Sequence, residues 1–305
     1  MATNMDSKVF ANILRLKEKR QAIILAHSYQ SEEVQQIADY VGDSFGLSVQ
    51  AKENSAQVVV FCGVHFMAES AYILAPHKTI LLPEKTAGCP LADTIDYEGL
   101  QAAKAQYPNA TVVCYINSSA KVKSISDICC TSSNALQVIT GVDNDQILFV
   151  PDKNLAHYVA QHTKKQIIPW AGACVTHQRV SLNDVALIRQ HHPDAVIAVH
   201  PECEPEIVDQ ADFVGSTTAI IQYAVSCTQT KVVIGTEMGV VTQLKAKCPT
   251  KTFYLLAPGL VCPNMKKTRL QSIEKALIHM ETKITVSEDI RIQAKTALER
   301  MLTYK

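Results

Sequence analysis

The feature that most constrains this chain is a threefold internal repeat. Three segments align, ADYVGDS (38–44), SDICCTS (126–132) and ADFVGST (211–217), and their aspartates Asp39, Asp127 and Asp212 stand 88 and 85 residues apart. The apolar runs ahead of them keep these offsets: QAIILAHSYQ (21–30), TVVCYINSS (111–119) and VIAVHPECE (196–204) put His27, Tyr115 and His200 at the same spacings. A second run follows in each unit (VVVFCG 58–63, ILFVPD 147–152, VVIGTE 232–237), and a third closes it (KTILLP 78–83, KQIIPW 165–170, KTFYLL 251–256). Self-similarity at a fixed period determines architecture. It overrides the two domains that 305 residues would suggest by length alone.

Within each unit, β-branched runs of five or six residues alternate with helical stretches such as SEEVQQIADYV (31–41) and HFMAESAYILA (65–75). Near-continuous apolar strands between helices indicate parallel sheet buried on both faces. The predicted fold is α/β: three homologous αβα sandwich units around a pseudo-threefold axis, over residues 1–106, 107–191 and 192–305. Helices at 5–20 and 286–303 extend beyond the repeat. Ligands collect outside the carboxyl ends of the strands in such sheets, so three carboxyl edges facing inward would share one central cavity.

Charge narrows the partners. Lys plus Arg (29) balances Asp plus Glu (29), leaving no basic field for nucleic acid or an anionic membrane. The opening MATNMDSKVFANILRLKEKR reads as an amphipathic helix without the apolar core of a signal peptide, and AQVVVFC (56–62) is far too short to span a bilayer. The expectation is a cytoplasmic protein. In that reducing setting ten cysteines are poor candidates for structural disulfides.

After the third strand each unit carries one cysteine in a short loop: Cys89 in TAGCPLAD, Cys174 in GACVTH and Cys262 in GLVCPNM, spaced 85 and 88 apart. Pseudo-symmetry brings these thiols toward one point. Three thiolates suit a soft metal site, zinc or an iron–sulfur cluster, and a [4Fe–4S] cluster on three cysteines leaves one iron open to substrate. Zinc commonly uses close pairs, and the nearest thing here is Cys174 with His177. The plain alternative is three small residues fitting tight loops, since free cysteine is often simply buried. Cys62, Cys114 and the vicinal Cys129 and Cys130 fit that plain reading, as none has an equivalent in all three units.

Each first strand ends in a polar pair two residues apart: His27 and Tyr29, Tyr115 and Asn117, His200 and Glu202. Alternate strand residues share a face, so each pair should project together. A lone histidine there would be an ordinary hydrogen-bonded core residue, but a core has no need of six polar side chains at one level. Ser44, Ser132 and Thr217 also keep the 88 and 85 offsets and open helical runs. Each alone is an ordinary N-cap. Together they would aim three helix N-termini, with their unpaired amides, at anionic groups in the cavity.

Over residues 21–270 the chain resembles the quinolinate synthase family. The resemblance is carried by AHSYQ, GDSFGLS, FCGVHFMAES, AGCPLAD, CYINSSAKVKSISDICCTSSNA, VPDKNLA, WAGACVTH, HPEC, DFVGSTT, GTEMG and CPNM, in order. Ser28 stands where the family commonly has tyrosine or asparagine, with His27 and Tyr29 kept. The resemblance implies three αβα domains around a [4Fe–4S] cluster on Cys89, Cys174 and Cys262. It implies substrate contacts at His27, Ser44, Tyr115, Asn117, Ser132, His200, Glu202 and Thr217, with Tyr29 and His177 lining the same site. The implied reaction condenses iminoaspartate with dihydroxyacetone phosphate, releasing phosphate and water, to give quinolinate for NAD biosynthesis. An L-aspartate-oxidising enzyme is the implied functional partner. Glu202, Tyr29, His177 and His200 are the candidate proton carriers, with Glu202 the expected principal base.

Two other readings use the same residues. One is a zinc-dependent lyase or aldolase on the three thiolates. The other is an iron–sulfur redox sensor or small-ligand binder without turnover, for which six strand-end polar groups would be superfluous.

Overall fold

The computed structural model describes residues 4–304, so the first three residues of the expected N-terminal helix lie outside it. Among the described residues, twelve strands form three four-stranded sheets of one topology. The first unit has β1 (Ala22–His27), β2 (Tyr40–Gly42), β3 (Val58–Cys62) and β4 (Thr79–Leu81). The second has β5 (Thr111–Tyr115), β6 (Ile128–Cys130), β7 (Gln146–Val150) and β8 (Gln166–Pro169). The third has β9 (Val196–Val199), β10 (Phe213–Val214), β11 (Lys231–Gly235) and β12 (Thr252–Leu255). The strand orders are β2-β1-β3-β4, β6-β5-β7-β8 and β10-β9-β11-β12, and every strand pair is parallel. Helices cross between them, and the central strands are buried, as in the unbroken VVVFC of β3.

Each unit has one strand more than the three predicted. The additions, β2, β6 and β10, lie inside the repeated aspartate segments and pair only with the first strand of their unit. The helix expected over 31–41 therefore ends at Ile37, and Tyr40–Gly42 is sheet. Strands of two or three residues are too short to display a period.

The repeated aspartate now has a physical reason. Asp39 Oδ2 accepts the Ile24 amide at 2.8 Å, and the Asp39 amide donates to the Ile24 carbonyl at 2.9 Å. Asp127 does the same with Val112, at 2.7 and 3.1 Å, and Asp212 with Ile197, at 2.7 and 2.9 Å. In every unit this reciprocal pair fastens the edge strand to the first strand where the ladder is too short to hold itself.

Packing joins the units unequally. The helix Leu270–His279 packs against the N-terminal helix Asn4–Arg20, and Glu288–Met301 packs against Ala120–Ser124, β6 and His65–Leu74. Both helices thus leave the third sheet to cover the first two. One apolar core, containing Phe61, Phe149 and Leu298, joins one face of the first sheet to the second unit; the other face of the first sheet packs a separate cluster (Ile13, Ile24, Val60, Ile273), and the third unit keeps its own clusters on the two faces of its sheet. No described helix is long and apolar enough to cross a membrane.

Candidate active site

His27 and Tyr115 are the last residues of β1 and β5, and His200 follows β9 directly. Their partners Tyr29, Asn117 and Glu202 lie beyond the strands, so strand alternation does not orient them. For Tyr29 and Glu202 a shared turn does. The Tyr29 amide donates to His27 Nδ1 at 3.2 Å, and the Glu202 amide to His200 Nδ1 at 3.3 Å. An Nδ1 that accepts leaves the proton on Nε2. His200 Nε2 accordingly meets Ser132 Oγ at 3.1 Å. The Tyr29 turn is held from the third unit as well: Lys266 Nζ donates to the Tyr29 carbonyl, and Gln35 Nε2 donates to the carbonyls of Ser28, Gln30 and Gly239. Gly239 is required there, because a Cβ would lie 2.5 Å from the Ser28 oxygen.

The three hydroxyls do not cap their helices. Asp43 caps Ser44–Glu53 through the Gly46 amide, and Ser216 caps Thr217–Ser226 through the Ala219 amide, so Ser44 and Thr217 are first helical residues. Ser132 lies three residues ahead of the helix Ala135–Gly141, in a turn that Asn134 Oδ1 closes on the Thr131 amide at 2.8 Å. The three hydroxyls instead face the cavity, where Ser132 meets His200 and Thr217 Oγ1 lies 2.9 Å from the Tyr29 hydroxyl.

All thirteen residues singled out in the sequence line one cavity, with about 750 Å³ of atom-free space, mouth included. Val64, Phe66, Met67, Leu91 and Met265 give it an apolar wall, and none of its lining residues is Lys or Arg. Glu202, 3% exposed, is its hub. Oε1 accepts the Tyr115 hydroxyl at 2.7 Å, and Oε2 accepts from His177 Nδ1 at 2.8 Å. Asn117 Nδ2 reaches Oε1 only at 3.5 Å, and its buried Oδ1 has no hydrogen-bond partner among the described residues, a polar atom left for a ligand. The rings of His177 and His200 stack with centroids 4.8 Å apart.

Charge states follow from this packing. Burial opposes ionisation of Glu202, yet the neighbouring His200 and His177 and the hydrogen bonds from His177 and Tyr115 prevail and hold the carboxyl at about 2. Burial pushes His27 down to about 4 and His200 to about 3, so both are neutral at pH 7. Tyr29 and Tyr115 are driven well above the ordinary phenol range by burial and by the Glu202 charge. The site thus sets the ionised Glu202 carboxylate near the neutral imidazoles of His27 and His200 and the protonated phenols of Tyr29 and Tyr115.

Cys89, Cys174 and Cys262 are the three of ten cysteines that line the cavity, and all ten are free thiols. Burial raises the three thiols, Cys89 to about 12, and the neighbouring Cys262 adds to the rise at Cys89 as Cys89 does at Cys174. Three soft donors on three separate loops at the wall of one cavity fit an iron–sulfur cluster. Loading must expel their protons. The Cys262 loop is fixed from behind: Glu237, fully buried, accepts the Cys262 amide at 3.1 Å and pairs with Lys266 at 2.9 Å.

Three residues of the site escaped sequence reasoning. Asp43 Oδ2 accepts the hydroxyls of Ser133 and Thr218 at 2.8 and 2.6 Å, joining all three units at their helix starts. Thr236 bridges Tyr29 and His177 at 2.8 and 3.0 Å. Glu237 is the third. The only sequence signal for the last two is a polar Thr-Glu pair directly after a buried strand.

The family model described as Quinolinate synthetase A protein matches residues 11–303. The quinolinate synthase of Alkaliphilus metalliredigens is 53% identical over 301 residues, 98% of this chain and 99% of the relative. That of Caldicellulosiruptor bescii is 52% identical over 300 residues, with the same coverage, and that of Methanosarcina barkeri is 48% identical over 300 residues, again 98% and 99%. On matches of this extent, the chain belongs to the quinolinate synthetase A family.

Proposed function

We propose that this chain condenses iminoaspartate with dihydroxyacetone phosphate to quinolinate, with release of phosphate and water, and so serves NAD biosynthesis in the cytoplasm. The observation that carries the reading is the convergence in one cavity of three thiols, one per unit, with the Glu202 carboxylate held ionised, the His27 and His200 imidazoles neutral and the phenols protonated. Cys89, Cys174 and Cys262 would hold a [4Fe–4S] cluster, which supplies a Lewis acid through an iron that has no thiolate.

The chain's own residues do the rest. Asn117 Oδ1 and the hydroxyls of Ser44, Ser132 and Thr217 bind the polar ends of the substrates. Helix starts take their carboxylates and phosphate in place of cationic side chains. Glu202, ionised and acceptor-only, takes the proton that carbon–carbon bond formation releases. His200 offers its Nε2 proton and Tyr115 its phenol proton to departing oxygen. The apolar wall excludes water from an imine that hydrolyses readily, which also explains why an L-aspartate-oxidising enzyme must supply the substrate continuously. The test is anaerobic turnover of both substrates by iron-reconstituted protein, following phosphate and quinolinate together. Stoichiometric formation of both is expected, and phosphate without quinolinate would reject the reading.

One observation favours a second reading. Ligand atoms of Cys174, His177 and Glu202 lie within 4.8 Å of one another, the donor set of a catalytic zinc. It leaves Cys89 and Cys262 idle. Colourless protein that turned over at full rate with one zinc per chain would establish it.

A further inference from the structure

The three cysteine loops are copies of one structure. The amide three residues past β3, β7 or β11 donates to the carbonyl two residues ahead of the cysteine: His65 to Ala87 at 2.8 Å, Lys153 to Gly172 at 2.7 Å and Met238 to Leu260 at 2.9 Å. The cysteine carbonyl then accepts the amide four residues on, from Asp93, Gln178 and Lys266, at 3.1, 3.0 and 3.2 Å. These bonds tie each loop to its own unit and leave the relation between loops to other groups. That relation is a closed ring, in which the residue five places after one cysteine meets the segment just ahead of the next. Thr94, after Cys89, offers its carbonyl to Trp170 Nε1 at 3.0 Å, and Gly172 lacks the Cβ that would collide with the Thr94 hydroxyl. Arg179, after Cys174, donates from Nη1 to the Gly259 carbonyl at 3.3 Å and the Val261 carbonyl at 3.4 Å. Lys267, after Cys262, donates from Nζ to the Thr86 carbonyl at 2.6 Å. The third loop thereby returns to the first. Arg179 and Lys267 are exposed, Trp170 is half-buried, and none of the three lines the cavity. They hold the loops from outside.

We propose that Trp170, Arg179 and Lys267 are positioning residues that assemble Cys89, Cys174 and Cys262 into one donor set before any metal arrives. Each donates to a backbone carbonyl of another ligand loop, so the relative placement of the loops does not depend on bonds to iron. The inference rests on the ligand set proposed above. A set gathered in advance binds without the entropic cost of bringing three loops from three units together at that moment. Partners that hold a metal ligand in place are typically worth about 10–100-fold in metal affinity.

The test opens the ring. Arg179→Met and Lys267→Met, combined in one chain, keep the bulk of each side chain and remove its donor, whereas Arg179→Lys with Lys267→Arg keeps a cationic donor at both places; Trp170→Phe alone serves should the methionine pair not fold. The full metal-free chain is titrated with arsenite, which exchanges its three hydroxyls for three thiols and releases water, and the binding lost in Cys89→Ser marks the three-thiol site. That affinity should fall about 10–100-fold in the methionine pair and be largely restored in the Lys–Arg pair. After anaerobic reconstitution, a chelator should strip iron from the methionine pair faster by a similar factor. The melting temperature of the metal-free protein should hardly change, which separates placement of the ligands from general loosening. Wild-type arsenite affinity and iron retention in the methionine pair, or losses that only track a lowered melting temperature, would overturn the proposal and leave the ligand set standing. A wild type whose arsenite affinity is untouched by serine at any of the three cysteines would overturn the ligand set and the ring together.

Discussion

Thr218, near the start of a third-unit helix, donates its hydroxyl to the Asp43 carboxylate of the first unit at 2.6 Å, across 175 residues of sequence. Ser133 of the second unit donates to the same oxygen, while the other oxygen caps the Ser44–Glu53 helix. A single carboxylate therefore sets the spacing of three helix starts around the cavity.

Removing that carboxylate should loosen the molecule and the site together. Asp43→Ala should lower unfolding free energy by about 1–3 kcal/mol, the cost of buried hydroxyl donors and a cap left without acceptors, and should raise KM for both substrates. Asp43→Asn keeps one acceptor and should lie between. Denaturant titration with steady-state kinetics checks both, and an unchanged KM in the alanine variant would show that the helix starts hold their spacing without it.

The repeat aspartates make a similar but purely structural prediction. Asp127→Ala frees the Val112 amide and should cost about 1–3 kcal/mol, whereas Asp127→Asn retains an acceptor and should cost less. Neither change should alter kcat measured below the melting range. A kinetic defect with normal stability would contradict the fastening role.

For the metal, serine at Cys89, Cys174 or Cys262 should abolish stable iron incorporation. Serine at Cys62, buried in β3 with its thiol pushed far up by burial, should leave iron near the wild-type level. Iron analysis after anaerobic reconstitution decides this, and a full complement in Cys174→Ser would refute the ligand set.

Proton transfer is tested by Glu202→Gln, which preserves shape and loses the base. Turnover should fall about 10²–10⁴-fold with iron content unchanged. Wild-type turnover would reduce Glu202 to a hydrogen-bonding support for His177 and Tyr115.

Acid should destabilise the metal-free chain through its histidines. Burial holds His27 at about 4 and His200 at about 3 in the folded state, against 6.5 when unfolded. Below 6.5 the unfolded chain binds protons that the folded chain refuses. Their contribution is therefore complete above about pH 6.5 and is lost as pH falls through 4 and then 3. Urea midpoints should drop between pH 7 and pH 5, and His27→Gln should flatten the slope. A midpoint that rose on acidification would mean that the rings are charged in the fold.

Symmetry decided what could be read from sequence. Residues that recur in every unit identify themselves by spacing, and six of these, His27, Tyr115, His200 and the three loop cysteines, meet in the cavity. Thr236 has no such signal, because the matching positions hold Gly63 and Pro151. Asp43 matches Thr131 and Ser216, so it reads as one more cap, and its bonds to Ser133 and Thr218 exist only after docking. The short edge strands β2, β6 and β10 escaped notice because two or three residues carry no period, although the aspartates that hold them were the strongest landmarks of all. The final helices likewise gave no hint that they would cover sheets other than their own.

The placement of one thiol per unit also bears on chain topology. A metal held by Cys89, Cys174 and Cys262 closes two covalent circuits of 85 and 88 residues, rings comparable to those of a long-range disulfide. Ring closure on this scale restricts the unfolded ensemble far more than the folded one, and any ligand bound only by the native state shifts the folding equilibrium toward it. The reagent of the reaction would then be a girdle around the three units as well. Oxidative loss of it should register as a lower melting temperature as well as lost turnover, and proteases should find the bare chain before they find the loaded one.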